Sequence, residues 1–111
     1  MSVPTETPQG LAARLADVQV LDVREPEEWS AGHIDGAIHA PLGGLLAGGT
    51  APLDAARPVV VVCRSGQRSE LATMLLRSRG QDAANLAGGL HAWAGAGLPL
   101  TTDAGSPGRL V

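Results

Sequence analysis

The feature that most constrains the fold is an unbroken apolar run that ends in the single cysteine of the chain. Residues 59–62 are four consecutive valines, and Cys63 follows them directly. Such a run, without polar alternation, is typical of a parallel strand that is covered on both faces. A polar loop comes next, and then a helical pattern over residues 69–79 that Gly80 closes. The sequence therefore predicts a central strand that delivers a thiol to a loop at the start of a helix.

The rest of the chain alternates between strand-like and helix-like segments. Strands are predicted near residues 2–4 and at 18–23, 37–40 and 82–86, and helices at 8–15, 26–29, 42–46 and 90–94. This alternation predicts a parallel sheet with right-handed crossovers and helices on both faces. In such sheets the site lies beyond the C-terminal ends of the strands, where Cys63, Asp22 and Arg24 all fall.

Composition is that of one globular domain. The 111 residues are 44% hydrophobic and 17% charged, which is enough for one core, and the net charge of -3 argues against a nucleic-acid partner. No apolar stretch could cross a bilayer and no signal peptide is visible, so we expect a cytoplasmic protein without a membrane partner. Residues 101–111 are polar and lack a period, which predicts a disordered tail.

The segment of residues 63–69, called the cysteine loop below, has the character of an anion site. Backbone N–H groups in a loop that opens a helix, together with the helix dipole, favour a bound anion. Arg64 and Arg68 add positive charge, so we expect the pKa of a thiol held there to be lowered. A lone cysteine is more often a small buried apolar residue, but this loop favours a reactive thiolate.

Three motifs, in order along the chain, resemble those of the rhodanese family. The first is Leu21-Asp22-Val23-Arg24-Glu25-Pro26-Glu27-Glu28-Trp29 with Gly32-His33-Ile34-Asp35-Gly36-Ala37. The second is the cysteine loop, Cys63-Arg64-Ser65-Gly66-Gln67-Arg68-Ser69. The third is Leu86-Ala87-Gly88-Gly89-Leu90-His91-Ala92-Trp93 with Gly97-Leu98-Pro99-Leu100. We therefore expect a rhodanese domain over residues 1–100.

The resemblance implies a rhodanese-like three-layer α/β/α sandwich around a central five-stranded parallel sheet. It also implies a thiosulfate sulfurtransferase, in which Cys63 takes a sulfane sulfur from thiosulfate or a similar donor and holds it as a persulfide. Cyanide or a thiol, such as glutathione or a thioredoxin-like protein, would then accept that sulfur. No cofactor or metal is expected.

Each residue near the thiol has an expected role. Cys63 is the nucleophile, because a thiolate is needed to attack the donor. Arg68 is expected to bind the anionic donor, and Arg64 to lie at the rim of the site. The whole substrate-binding set is Arg64, Ser65, Gly66, Gln67, Arg68 and Ser69. Asp22 and Arg24 are expected to support the loop as structural residues.

The histidines and tryptophans are interpreted as packing residues. His33, His39 and His91 form no ligand cluster with Cys63, so no metal is expected and each is interpreted as a hydrogen-bonded packing residue. Trp29 and Trp93 are expected to pack in the core against the sheet.

Other functions stay open at this point. Cell-cycle protein phosphatases share the implied fold, but their loop has one more residue between cysteine and arginine, so the shorter loop here favours sulfur over the larger phosphate. Arg64 and Arg68 also depart from the loop of mercaptopyruvate sulfurtransferases. The main alternative is a sulfur-relay or protein-binding rhodanese module that acts with a partner in thiolation or molybdopterin-type pathways. An intact Cys63 argues against an inactive module but does not separate a free enzyme from a relay.

Overall fold

In a computed structural model, which describes residues 3–111, the chain forms a five-stranded parallel sheet. Its strands are β1 (Thr5–Glu6), β2 (Gln19–Asp22), β3 (Ile38–His39), β4 (Val59–Val62) and β5 (Ala83–Leu86). Their order across the sheet is β1-β5-β4-β2-β3, and every neighbouring pair is parallel. The valine strand β4 is therefore central, as its unbroken apolar character predicts.

Helices alternate with these strands along the chain. They are α1 (Pro8–Arg14), α2 (Pro26–Ala31), α3 (Leu42–Leu46), α4 (Gln67–Ser78) and α5 (Gly89–Gly95). Helix α4 begins two residues earlier than predicted, so Arg68 and Ser69 lie in its first turn. The strand predicted near residues 2–4 begins outside the described residues, and β1 follows it. Within residues 3–111, no helix is both long enough and apolar enough to cross a membrane.

The sheet separates two hydrophobic layers. Alternate side chains of a strand point to opposite faces, so the four valines of β4 are shared between both layers and are 0–3% exposed. One face packs against α1 and α5 through buried side chains that include Leu11, Val60, Val62, Leu90 and Trp93. The other face packs against α3 and α4 through Leu45, Val59, Val61, Ala72 and Leu76. This is the three-layer α/β/α sandwich that the resemblance implies.

Residues 101–111 follow a defined path, which differs from the predicted disorder. Thr101 and His33 exchange two backbone hydrogen bonds of 2.8 and 2.9 Å, and the Arg109 N–H donates to the last residue of α2 at 2.9 Å. Gly32 permits this approach, because a Cβ there would lie 2.6 Å from the backbone nitrogen of Arg109. The order comes from contacts distant in sequence, so the local polar composition gives no sign of it.

Candidate active site

Cys63 directly follows the central strand β4, and its side chain is completely buried. Hydrogen-bond donors converge on its Sγ from the Gly66 N–H at 3.1 Å, the Ser69 N–H at 3.3 Å and the Ser69 hydroxyl at 3.2 Å. Ser69 can offer its N–H because the first N–H groups of a helix have no partner within the helix. The cysteine loop thus surrounds the sulfur with donors that suit a negative charge.

Burial and hydrogen bonding have opposite effects on the pKa of Cys63. Burial raises the pKa of the thiol, because the charged form loses its hydration. Hydrogen bonds from the Ser69 hydroxyl and from the backbone N–H groups of Ser69, Gly66 and Ser65 lower the pKa. The hydrogen bonds outweigh burial, so the pKa of Cys63 lies below that of an ordinary thiol. A larger thiolate fraction makes the sulfur a better nucleophile near neutral pH.

Two glycines allow the cysteine loop to turn its N–H groups inward. Gly66, at the N-terminus of α4, has a φ of +100°, which favours glycine. Gly89 lies so close to the loop that a Cβ would be 2.6 Å from the Arg64 carbonyl oxygen. The next residue, Leu90, donates its N–H to the Cys63 carbonyl at 2.8 Å. Gly89 therefore permits the first turn of α5 to donate N–H groups to carbonyl oxygens of the cysteine loop.

Asn85 of β5 is a residue of this site that the sequence reasoning missed. Its Nδ2 donates to the Gly66 carbonyl at 3.0 Å, and its Oδ1 accepts the Ser69 hydroxyl at 2.5 Å. The available signal was a polar side chain inside a short apolar strand, where it is 5% exposed. The single hydroxyl hydrogen of Ser69 thus has two acceptors, Asn85 and Cys63. Because a charged acceptor binds more strongly, we expect this hydrogen to turn to Sγ when the thiol ionises.

Removing the Ser69 hydroxyl should make the thiolate harder to form. We expect Ser69→Ala to move the ionisation of Cys63 to higher pH by about one unit, since a hydrogen bond to the charged form is lost. The measurement is the rate of alkylation by iodoacetamide as a function of pH. Ser65→Ala is the matched control, because the exposed Ser65 keeps its backbone N–H. An unchanged profile for Ser69→Ala, or an equal shift in the control, would contradict this assignment.

Arg68 is paired with Glu28 of α2, a partner that the sequence did not predict. Nη1 donates to Oε1 at 2.6 Å and Nη2 donates to Oε2 at 2.9 Å. The bond from Arg68 is the main cause that lowers the pKa of Glu28 to about 2, and the same bond raises the pKa of Arg68. Both side chains are therefore charged and paired at neutral pH.

Asp22 and Arg24 form a fully buried ion pair at the end of β2. The Nε and Nη2 atoms of Arg24 donate to the Asp22 carboxylate over 2.8 to 3.1 Å, and Nη2 also donates to the Gly32 carbonyl at 2.7 Å. Among the buried side-chain nitrogen and oxygen atoms of residues 3–111, the Nη1 atom of Arg24 has no hydrogen-bond partner. Neither side chain reaches solvent.

The outer residues of the cysteine loop are exposed. Arg64, Ser65 and Gln67 all reach solvent. The Nε of Arg64 donates to the Val111 carbonyl at 3.2 Å, so the C-terminal segment lies against this rim.

The histidines and tryptophans divide between packing and surface positions. Trp93 is buried in the core at 1% exposure, but Trp29 is only partly buried and stacks with His33 and His39 at ring-centroid distances of 3.6 and 4.7 Å. His91 is exposed, because its face of α5 points to solvent. This position differs from the predicted packing role. Across the described residues 3–111, no three His, Cys, Asp or Glu side chains are placed to hold a metal ion.

Two proteins of similar sequence have names that refer to sulfur transfer. A protein named "Sulfurtransferase" from Allochromatium vinosum is 37% identical over 101 residues, which are 87% of this chain and 94% of that protein. The "Probable adenylyltransferase/sulfurtransferase MoeZ" of Mycobacterium tuberculosis is 42% identical over 77 residues. Those residues are 68% of this chain but only 20% of that protein.

A solved structure and a family model support the same relationship. The crystal structure of a rhodanese-related protein from Thermoplasma volcanium matches with a TM-score of 0.81 and 27% identity, over 90% of this chain and 99% of that one. A family model described as "Rhodanese-like domain" matches residues 7–96, which include the cysteine loop and its supporting residues. The chain therefore belongs to the rhodanese-like sulfurtransferase family.

Proposed function

We propose that this protein transfers a sulfane sulfur through a persulfide on Cys63, taking it from thiosulfate or a similar small donor. The observation that carries the proposal is the set of three donors within 3.1 to 3.3 Å of a buried Sγ. Such donors stabilise the negative charge of the thiolate, which is the form of Cys63 that must attack the sulfur donor.

Loading of the sulfur is a displacement at the outer sulfur of the donor. The Cys63 thiolate attacks that atom, and a new S–S bond forms as the donor's own S–S bond breaks. With thiosulfate, the electron pair of the broken bond leaves on sulfite. Three negative charges are present before the step and three after it, and no cofactor takes part.

The loaded sulfur must leave by transfer to another molecule. The chain contains one cysteine, so no second thiol within it can attack the persulfide and release hydrosulfide. Suitable acceptors are nucleophiles such as cyanide, glutathione or a thioredoxin-like dithiol. The exposed Arg64 lies at the rim that an acceptor would cross.

A second candidate is a relay that hands sulfur only to a partner protein. The name of the MoeZ relative joins an adenylyltransferase to a sulfurtransferase, and another relative from Bacillus subtilis is named for a sulfur carrier. This chain spans only 20% and 42% of those two proteins, so it matches one part of each. Both candidates use the same persulfide and differ in the acceptor.

The assay that tests the proposal measures sulfite release from thiosulfate in the presence of cyanide or glutathione. We expect saturable turnover with both acceptors, because the thiol and the hydrogen-bond donors that favour its ionisation are already in place. Loading followed by discharge only to a protein acceptor would favour the relay. Sulfite release no faster than in the absence of protein would contradict the proposal.

A further inference from the structure

The charged side chains around the cysteine loop cancel in pairs. Asp22 neutralises Arg24, and Glu28 neutralises Arg68. The pKa of Arg68 is raised mainly by its bond to Glu28, and the charges of Cys63 and Asp22 add to this effect. The charges of Cys63 and Asp22 therefore act on Arg68. Arg64 is the cation of the loop that stands apart from these pairs, and its exposure to solvent screens its charge.

The pairing of Arg68 with Glu28 offsets the positive charge of Arg68 but leaves part of its hydrogen-bonding capacity free. A guanidinium has five N–H donors, and the two bonds to Glu28 engage one on each Nη. Three donors remain, and the side chain is 37% exposed, so a ligand can reach it from solvent. Arg68 can therefore orient the oxygen atoms of a donor without strongly attracting a second negative charge.

We propose that Glu28 is a specificity-determining residue, which by offsetting the charge of Arg68 weakens the preference of the site for doubly charged sulfane-sulfur donors over singly charged ones. This inference rests on the sulfur transfer proposed above. Electrostatic energy scales with the product of the charges, so the Glu28 carboxylate repels a dianion about twice as strongly as a monoanion at the same position. Its pKa of about 2 keeps that carboxylate ionised throughout the neutral range.

Two small sulfur donors of similar shape differ in net charge, so a comparison of their reactions measures the effect of charge. Thiosulfate is a dianion, and methanethiosulfonate is a monoanion in which a methyl group replaces one oxygen atom. In both reactions the Cys63 thiolate attacks the terminal sulfur, and the donor S–S bond breaks to leave the Cys63 persulfide. The electron pair leaves on sulfite in one case and on methanesulfinate in the other. The two reactions therefore differ mainly in the charge brought to the site.

The test is the ratio of kcat/KM for thiosulfate to kcat/KM for methanethiosulfonate. Glu28→Gln should raise this ratio by about five-fold, mainly through a lower KM for thiosulfate, because the carboxylate charge is lost. Glu28→Ala should raise it in the same direction, and Glu28→Asp should leave it near the wild-type value. Glu27→Gln is the matched control, since it removes the same charge from an exposed position of α2.

The outcomes separate this inference from the proposed function. A ratio unchanged by Glu28→Gln, or raised equally by Glu27→Gln, would overturn the role of Glu28 while leaving sulfur transfer intact. An equal loss with both donors in a variant of normal thermal stability would also overturn it, because Glu28 would then only position Arg68. Failure of the wild-type protein to form a persulfide with either donor would overturn the proposed function itself.

Discussion

Asp22→Ala should lower the free energy of unfolding by about 3–5 kcal/mol, because it leaves a buried charge without its counter-ion. Both side chains of the Asp22–Arg24 pair are 0% exposed. In the variant, the Arg24 guanidinium keeps its bond to the Gly32 carbonyl but loses the carboxylate. Domains of this size are stable by only about 5–15 kcal/mol, so urea unfolding should show a midpoint far below that of the wild type.

A double variant distinguishes the lost charge balance from lost packing. Asp22→Ala combined with Arg24→Met removes both charges and should be more stable than Asp22→Ala alone, by about 2 kcal/mol. Asp35→Ala, at an exposed aspartate, should change stability by less than about 0.5 kcal/mol. A loss below about 1 kcal/mol for Asp22→Ala, or a double variant less stable than the single one, would show that the pair is not a major support of the fold.

Cys63→Ser should reduce sulfur transfer by about a thousand-fold or more, because an alcohol neither ionises near neutral pH nor forms a persulfide. Serine has nearly the same size as cysteine and can accept the same hydrogen bonds from Gly66 and Ser69. The fold should therefore survive the change. The measurement is kcat/KM for sulfite release, with thermal unfolding recorded on the same preparations.

Cys63→Ala provides the second arm of that experiment. It should lose as much activity as Cys63→Ser, since neither side chain offers a sulfur atom to the donor. Retention of one-tenth of the wild-type rate by either variant, with normal thermal stability, would remove Cys63 from the role of nucleophile.

The features of this protein that could be predicted from sequence are those encoded in neighbouring residues. The valines of 59–62 indicate a central parallel strand, and the polar residues after Cys63 indicate a loop that opens a helix. Periodicity and glycine placement are local signals, so the element order and the position of the thiol follow from them. The parallel sheet and its strand order then place Cys63 beside the ends of β2 and β5.

The features that the sequence did not reveal depend on pairs of residues far apart in the chain. Glu28 and Arg68 are separated by 40 residues, and no local pattern identifies Glu28, rather than Glu27 of the same helix, as the partner of Arg68. Asn85 lies 16 residues from Ser69, and only its polarity within an apolar strand hints at a partner. The order of residues 101–111 similarly depends on Gly32, which allows the close approach of Arg109. Such pairs become visible only when the sheet brings them together.

The most direct test of the central claim is the intact mass of the protein after incubation with thiosulfate and removal of excess donor. The wild-type protein should gain one sulfur atom, about 32 Da, located on the peptide that contains Cys63, because the thiolate captures the outer sulfur of the donor. Cyanide should remove the added mass, and Cys63→Ser should gain none. A wild-type mass that stays unchanged with both thiosulfate and methanethiosulfonate, or an equal gain in Cys63→Ser, would contradict persulfide transfer on Cys63.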